Sequence, residues 1–387
     1  MAGEPSGDRL GAALMRALRD AEPSVGFQGV GGVAMAEEGL DSLVDLADLA
    51  VMGITEVVPR LATILAHLRT VSAAAVAAAP DALITIDSPS FSLRVAARVR
   101  ARLPRLRTIH YVAPSVWAWR PGRARRMAPI VDHVLALLPF EPPYMTAAGM
   151  TCDFVGHPVA ERPLPDPRES AAFRAAHGLQ GRPVLMVAPG SRRGEVRRLG
   201  PVFREAVQAL AARLGPQGRD LALLVPVAET VVDDVAALFP DAIRLPPGHA
   251  ALAERAAADA ALLKSGTITL ETAALGVPHV AAYRASWLTA AIARRLLRID
   301  TGNLVNLAVG WESGARPVPE FYQQACTPDA LADALARLFL DPAVRAAQQT
   351  AAETALRVLG RGGPAPSARA AASVLAQLSR DTHSADG

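Results

Sequence analysis

Cysteine, lysine and aromatic residues are all scarce in this sequence of 387 residues. Two cysteines, Cys152 and Cys326, form no metal-ligand pattern and suit a reduced, cytoplasmic setting better than a disulfide framework. Lys264 is the only lysine among 40 basic residues. Aromatics make up 4% of the chain against 51% hydrophobic residues, so the core has to rest on aliphatic packing. A net charge of +3 is too weak to indicate a nucleic-acid partner. No run of about 18 apolar residues without a breaker is present, which predicts no transmembrane helix. A glycine-rich turn from Gly3 onward argues against a secretory signal peptide.

The length predicts two domains of ordinary size. Strand-like and helix-like patterns alternate nearly throughout, as in an α/β fold with parallel sheets. Strands are predicted at 24–29, 82–87, 107–112, 133–138, 153–156, 183–188, 221–226, 259–263 and 279–283. The proline-rich stretch 160–167 predicts a boundary between an N-terminal domain, 1–160, and a C-terminal domain, 161–387, whose last helices can cross back. The chain opens on Ala2-Gly3-Glu4-Pro5-Ser6-Gly7-Asp8, a turn of the kind that carries a strand into a helix. Only Met1 precedes it, and a strand needs about five residues, so the first strand of the N-terminal sheet is expected to be missing.

The most informative stretch is Val184–Val196. A short apolar run stops at Pro189-Gly190, and an amphipathic helical pattern begins at Gly194. Helix N-termini carry unpaired N–H groups and partial positive charge. Arg192 and Arg193 stand where an anion would sit. A second strand–turn–helix pattern runs from Ala258 to Leu263, through Lys264, Ser265, Gly266 and Thr267, into a helix that carries Glu271. Each turn alone fits ordinary helix capping as well as phosphate binding; together they suggest a ligand with two phosphates and a polyol, such as a nucleotide sugar.

In the first half, Asp87 ends an apolar strand and is a candidate general base, with capping of the next helix as the plainer alternative. His110 lies near the end of another strand and is followed by Trp117, Trp119, Arg120 and Arg123, which fit sugar stacking or anion binding as well as core packing with solvated charges. Ile54, Val58, Leu61, Ile64 and Leu65 form an apolar stripe at helical spacing that suits either the sheet or an acyl and membrane surface.

Taken in order and spacing, these motifs resemble the lipid-A-disaccharide synthase family over nearly the whole chain. The segments that carry the likeness are Ala2–Asp8, Ile86–Pro89, His110–Arg120, Leu138–Glu141, Phe154–Pro158, Pro189–Arg192 and Ser265–Thr267 with Glu271. The resemblance implies a GT-B architecture, with two Rossmann-like domains whose parallel sheets face a cleft. It implies an inverting, metal-independent glycosyltransferase without a cofactor. The implied reaction moves 2,3-diacylglucosamine from its UDP derivative to 2,3-diacylglucosamine 1-phosphate, making a β-1,6-linked disaccharide and UDP. The enzyme would work peripherally on the cytoplasmic face of the inner membrane, with a homo-oligomer left open. Asp87 and Arg192 are then the catalytic candidates. Ser191, Arg193, Ser265, Gly266, Thr267, Glu271, Asn306, Glu4, Ser6, His110 and Trp119 are candidates for substrate binding. Ser90 departs from the aspartate common in relatives. A UDP-sugar 2-epimerase, a peptidoglycan-type N-acetylglucosaminyltransferase and a non-catalytic nucleotide-sugar binder are the rival readings.

Overall fold

The computed structural model describes residues 1–49, 61–246, 251–286, 296–297 and 299–384. The chain divides into two compact units, Met1–Glu161 with Leu359–Gly387 and Arg162–Val358.

Unit 1 is built on four parallel strands in the order β1 (Ala82–Ile86), β2 (Arg107–Tyr111), β3 (His133–Ala136) and β4 (Thr151–Phe154). Ile86 lies opposite Tyr111, so β1 and β2 end level. Helices α1 (Pro5–Ala21), α2 (Val33–Glu37), α3 (Leu61–Ala78), α4 (Pro89–Arg102), α5 (Gly122–Met127) and α6 (Pro142–Thr146) accompany them. Proline opens α1 and α4, where its missing N–H costs nothing. Leu10, Leu14 and Leu18 recur every fourth residue on α1 and bury against Ile86, Ile109 and Leu135. Leu68 and Val71 of α3 pack with Val95 and Val99 of α4 and with Leu83.

The C-terminal helix, Pro366–Ser384, belongs to the same unit although unit 2 precedes it in sequence. Ala370, Ala371 and Val374 join the α1 cluster. The Ser373 hydroxyl donates to Asp153 at 2.7 Å and lies 2.9 Å from Nε2 of the buried His133. The His157 amide donates to the Leu359 carbonyl at 2.9 Å.

The strand expected at 24–29 does not form; one bridge, Gly29 with Ser42, is all the pairing that segment makes. The physical reason is the lack of a neighbour. A cavity of ≈ 530 Å³ separates Gly26–Gly29 from Ala82–Ile86, with Leu14, Leu18 and Val71 among its walls. Residues 1–3 contribute a single parallel bridge, Ala2 with Ile86, rather than a strand.

Unit 2 is a six-stranded parallel sheet. Its strands are β5 (Val184–Ala188), β6 (Ala222–Pro226), β7 (Ile243–Leu245), β8 (Ala260–Lys264), β9 (His279–Tyr283) and β10 (Glu320–Tyr322), in the order β10-β9-β8-β5-β6-β7. Its helices are α7 (Pro167–Ala176), α8 (Arg193–Arg213), α9 (Val232–Leu238), α10 (Leu252–Ala256), α11 (Thr267–Ala274), α12 (Leu304–Gly310), α13 (Pro328–Leu340) and α14 (Pro342–Val358). Every residue of β5 is buried, as expected for a strand covered on both faces. One face packs on α8, α9 and α13 through residues such as Phe203, Leu210 and Leu335, the other on α7 and α10. The sequence reading missed β7 and β10, each three residues long, because so short an edge strand has too few residues to show an alternation. The helix expected at 287–297 falls outside the described residues, save for Leu296 and Leu297.

Asp8, in the opening turn motif, has a structural task. Its buried carboxylate accepts from the amides of Gly32 (2.6 Å), Ala34 (2.9 Å) and Met35 (3.1 Å) and so fastens α1 to the start of α2. Asp8→Ala strands three amides; we expect it to lower unfolding free energy by about 2–3 kcal/mol, read as a lower urea midpoint with an unchanged slope.

Candidate functional site

In unit 2 the strand order reverses between β5 and β8: β6 and β7 lie to one side, β9 and β10 to the other. In open α/β sheets the crevice beyond the strand ends at such a reversal is where ligands bind. Both turns singled out in the sequence lead out of these two strands. β5 runs through Pro189–Arg192 into α8, and β8 through Ser265-Gly266 into α11. Gly190 has a φ of +134°, and a Cβ there would sit 2.6 Å from the Glu195 side chain, so the turn admits only glycine.

Glu195 joins the two turns. One carboxylate oxygen accepts the Ser191 amide at 3.2 Å, and the other lies 3.1 Å from the Lys264 Nζ. Lys264, the lone lysine, also stands over the Tyr283 ring at 5.4 Å. Arg192 is the N-cap of α8 and its side chain is 60% exposed, 3.9 Å from Glu195. Arg193 is 68% exposed, its Nε donating to the Thr230 carbonyl at 3.3 Å. Ser191 and Thr267 are exposed at the mouths of α8 and α11. Glu271, on α11, receives both Nη groups of the buried Arg255 at 3.4 Å and has Arg162 at 3.6 Å. Two cations therefore fix the carboxylate in place. Sequence reasoning missed Arg255, which has no motif around it and whose partner lies a helix away.

Asn306 corrects an expectation. It is 1% exposed, its amide donates to Val318 (2.9 Å) and Glu320 (3.0 Å), and its carbonyl oxygen accepts the Val318 amide (2.9 Å). Its side-chain amide is engaged inside the fold, where it anchors the segment before β10. Glu320 accepts in turn from Tyr322, whose hydroxyl takes the Gly302 amide at 2.7 Å and bonds Ser265. This relay connects Asn306 to the β8 turn.

In unit 1 the level ends of β1 and β2 carry unusual backbone. Asp87 (φ +50°), Ser88 (+43°), Val112 (+82°) and Arg120 (+50°) are four of the six non-glycine residues with positive φ among the described residues. Each costs roughly 1–3 kcal/mol, and such strain concentrates at functional sites. Asp87 is partly exposed; its Oδ1 accepts the Ser88 amide at 2.8 Å, and Oδ2 has no hydrogen-bond partner among the described residues. Gly3 lies so close to Ser88 that an added Cβ would be 2.5 Å away, which brings the Glu4–Ser6 turn against the Asp87 turn.

His110 also departs from expectation. Its ring is 1% exposed and bonded through Nδ1 to Thr85 at 2.8 Å. Burial, and then the nearby Arg123, lower its pKa to about 4. It is a neutral, buried residue of the sheet. Trp117 is core, edge-on to Phe140 at 5.1 Å. Trp119 is partly exposed, with Arg120 and Arg123 over its ring at 4.5 and 5.6 Å.

The apolar stripe divides. Ile54 and Val58 lie outside the described residues. Leu61 and Leu65 are 47% and 36% exposed, while Ile64 packs on the core cluster of Leu68 and Val71. Helix α3 is 18 residues long and, by length and composition, apolar enough to cross a membrane, where the sequence reading expects no such segment.

A model of the lipid-A-disaccharide synthetase family matches residues 1–372. The lipid-A-disaccharide synthase of Ruegeria pomeroyi is 51% identical over 98% of this chain and 94% of its own length. That of Rhodospirillum centenum is 47% identical over 97% and 93%. The chain belongs to the lipid-A-disaccharide synthase family. Members are glycosyltransferases that form the lipid A disaccharide. Solved structures share the fold at low identity. The UDP-GlcNAc 2-epimerase of Neisseria meningitidis bound to UDP-GlcNAc has a TM-score of 0.58 at 11% identity, covering 98% of each chain. The calicheamicin glycosyltransferase CalG4 has a TM-score of 0.56 at 18%, covering 98% of this chain and 97% of its own. These likenesses fix the GT-B type of fold.

Glu141, in the family's Leu138–Glu141 segment, braces the loop that ends at Trp119. Its buried carboxyl accepts from the amides of Leu137 (3.1 Å) and Leu138 (3.0 Å) and from the Trp117 indole (3.2 Å). Burial outweighs these bonds and raises its pKa to about 7. A folded-state value above the unfolded one means that the native state holds the proton more tightly. This contribution to stability is full below pH about 4.5 and is lost as pH rises through about 7, on the order of 3 kcal/mol. Glu141→Gln should flatten the decline of the denaturation midpoint between those pH values; an unchanged pH profile would assign the slope to another group.

Proposed function

We propose that unit 2 binds the UDP-sugar donor and that unit 1 carries the acceptor sugar and the base. The donor is UDP-2,3-diacylglucosamine and the acceptor 2,3-diacylglucosamine 1-phosphate. The observation that carries this reading is the pair of strand-to-helix turns at the strand-order reversal, tied by Glu195 to Ser191 and Lys264. The start of α8 offers N–H groups and Arg192, the start of α11 offers Ser265 and Thr267, and Glu271 suits the ribose hydroxyls. Structures of like fold are described with UDP and UDP-glucose bound, as in the Anabaena protein HepE.

The chemistry is a single displacement. The acceptor 6-hydroxyl oxygen attacks the anomeric carbon while Asp87 Oδ2 takes its proton. The bond from that carbon to the diphosphate breaks, and UDP leaves with the electron pair. Negative charge grows on the diphosphate as the bond opens, and Arg192 with the two helix starts stabilises it there. No metal enters this account, so a chelator should leave the rate unchanged. Asp87→Asn keeps the shape and removes the base; we expect transfer to fall about 10²–10⁴-fold with UDP affinity retained. Arg192→Ala should weaken UDP binding about 10–100-fold, measured by calorimetry. A UDP-sugar epimerase would instead convert the donor with no acceptor present.

Both substrates carry acyl chains, and the outer face of α3 supports a peripheral site on the cytoplasmic face of the inner membrane. Leu61→Ser with Leu65→Ser, both on the exposed side of the helix, should release the protein from anionic vesicles in a sedimentation assay. Its melting temperature should stay within a few degrees of the parent, since each exposed site changes stability by about 0.5 kcal/mol or less.

A further inference from the structure

We propose that Arg120 and Arg123, held over the Trp119 ring, form a binding site for a phosphate monoester at the strained edge of β1 and β2, and that this site reads the anomeric phosphate of the acceptor. The inference rests on the acceptor assignment above and adds the residues that recognise its charged group.

Arg120 and Arg123 sit 4.5 and 5.6 Å from the centre of the same indole. Arg126 follows one turn after Arg123, bonded to the Gly122 carbonyl at 3.4 Å. The positive charges work against one another: burial first, then Arg120 and Arg126, lower the Arg123 pKa. A cluster of this kind normally recruits carboxylates. On the same unit, Arg16 and Arg19 pair with Glu38, and Arg100 pairs with Asp132. Neither Arg120 nor Arg123 pairs with a carboxylate among the described residues. The repulsion is therefore left for a ligand to offset, and two guanidinium forks facing one anion suit phosphate geometry.

The backbone is committed to the arrangement. Arg120 takes a φ of +50°, rare for a residue with a side chain, in the loop that follows β2. Trp117, buried and bonded to Glu141, anchors that loop from within. Arg120 and Arg123 lie in the segment that follows β2, the strand next to the one that delivers Asp87. A phosphate held there would orient the attached sugar beside the base.

The test compares two acceptors, 2,3-diacylglucosamine 1-phosphate and its phosphate-free counterpart. In the parent protein kcat/KM should favour the phosphate-bearing acceptor. In Arg120→Ala with Arg123→Ala that preference ratio should shrink about 10–100-fold, in line with the loss of charge-assisted bonds. The loss should appear in KM for the acceptor, with UDP affinity unmoved. Arg120→Lys with Arg123→Lys, which keeps charge without the forks, should fall between the two. An unchanged ratio in the alanine variant overturns the proposal. Direct binding, followed by Trp119 fluorescence without donor, separates this from the parent reading. If the protein transfers to neither acceptor, glycosyl transfer fails, and salt-sensitive binding of the phosphate-bearing acceptor that the alanine variant loses still upholds the site. Equal binding of both acceptors by the parent would refute it.

Discussion

Between β5 and β8 the sheet of unit 2 changes the side on which it adds strands, and both strands end there in a turn that opens a helix. Everything proposed for the donor follows from that constraint. Two helix starts converge on one crevice, and their partial positive charges would repel without a counter-ion. Glu195 supplies it from the first turn of α8, taking the Ser191 amide and the Lys264 ammonium together. Lys264 is thereby tied to Glu195. Its place as the single lysine suits a compact ammonium that must fit between a carboxylate and the Tyr283 ring.

Unit 1 uses a different device. Its catalytic candidate sits on backbone that ordinary side chains avoid, and the strained residues gather at the ends of two adjacent strands. Asp87 is presented by this strain, with one oxygen spent on the next amide and the other without a hydrogen-bond partner among the described residues. The loop after β2 has a buried half and an open half. Trp117 and Glu141 lock the inside, while Trp119, Arg120 and Arg123 remain outside. Asp8, in the opening turn motif, fastens two helices.

Several residues that looked alike in the sequence separated once they were placed. His110 and Trp119 belong to one motif, yet the first is sealed in the sheet and the second lies at the surface. Asn306 is polar in a segment that the family resemblance marks for binding, and its amide donates to Val318 and Glu320 inside the fold. Leu61, Ile64 and Leu65 share a helical stripe, and Ile64 alone among them turns to the core. A stripe read at period 3.6 shows that a helix has an apolar side, without saying how wide the covered arc will be.

The sequence by itself determined the alternation of strands and helices, the two turns that follow β5 and β8, and the family. These signals are local, written in apolar runs, glycines and caps within a few residues of one another. Tertiary structure alone decided that Glu195 bridges two turns separated by more than a helix, that Arg255 grips Glu271, and that the last helix returns to the first unit. It also decided that residues 24–29 form no strand and pair only through the Gly29–Ser42 bridge. Each of these depends on which distant atoms come within hydrogen-bond or packing reach, and a one-dimensional pattern carries no record of that.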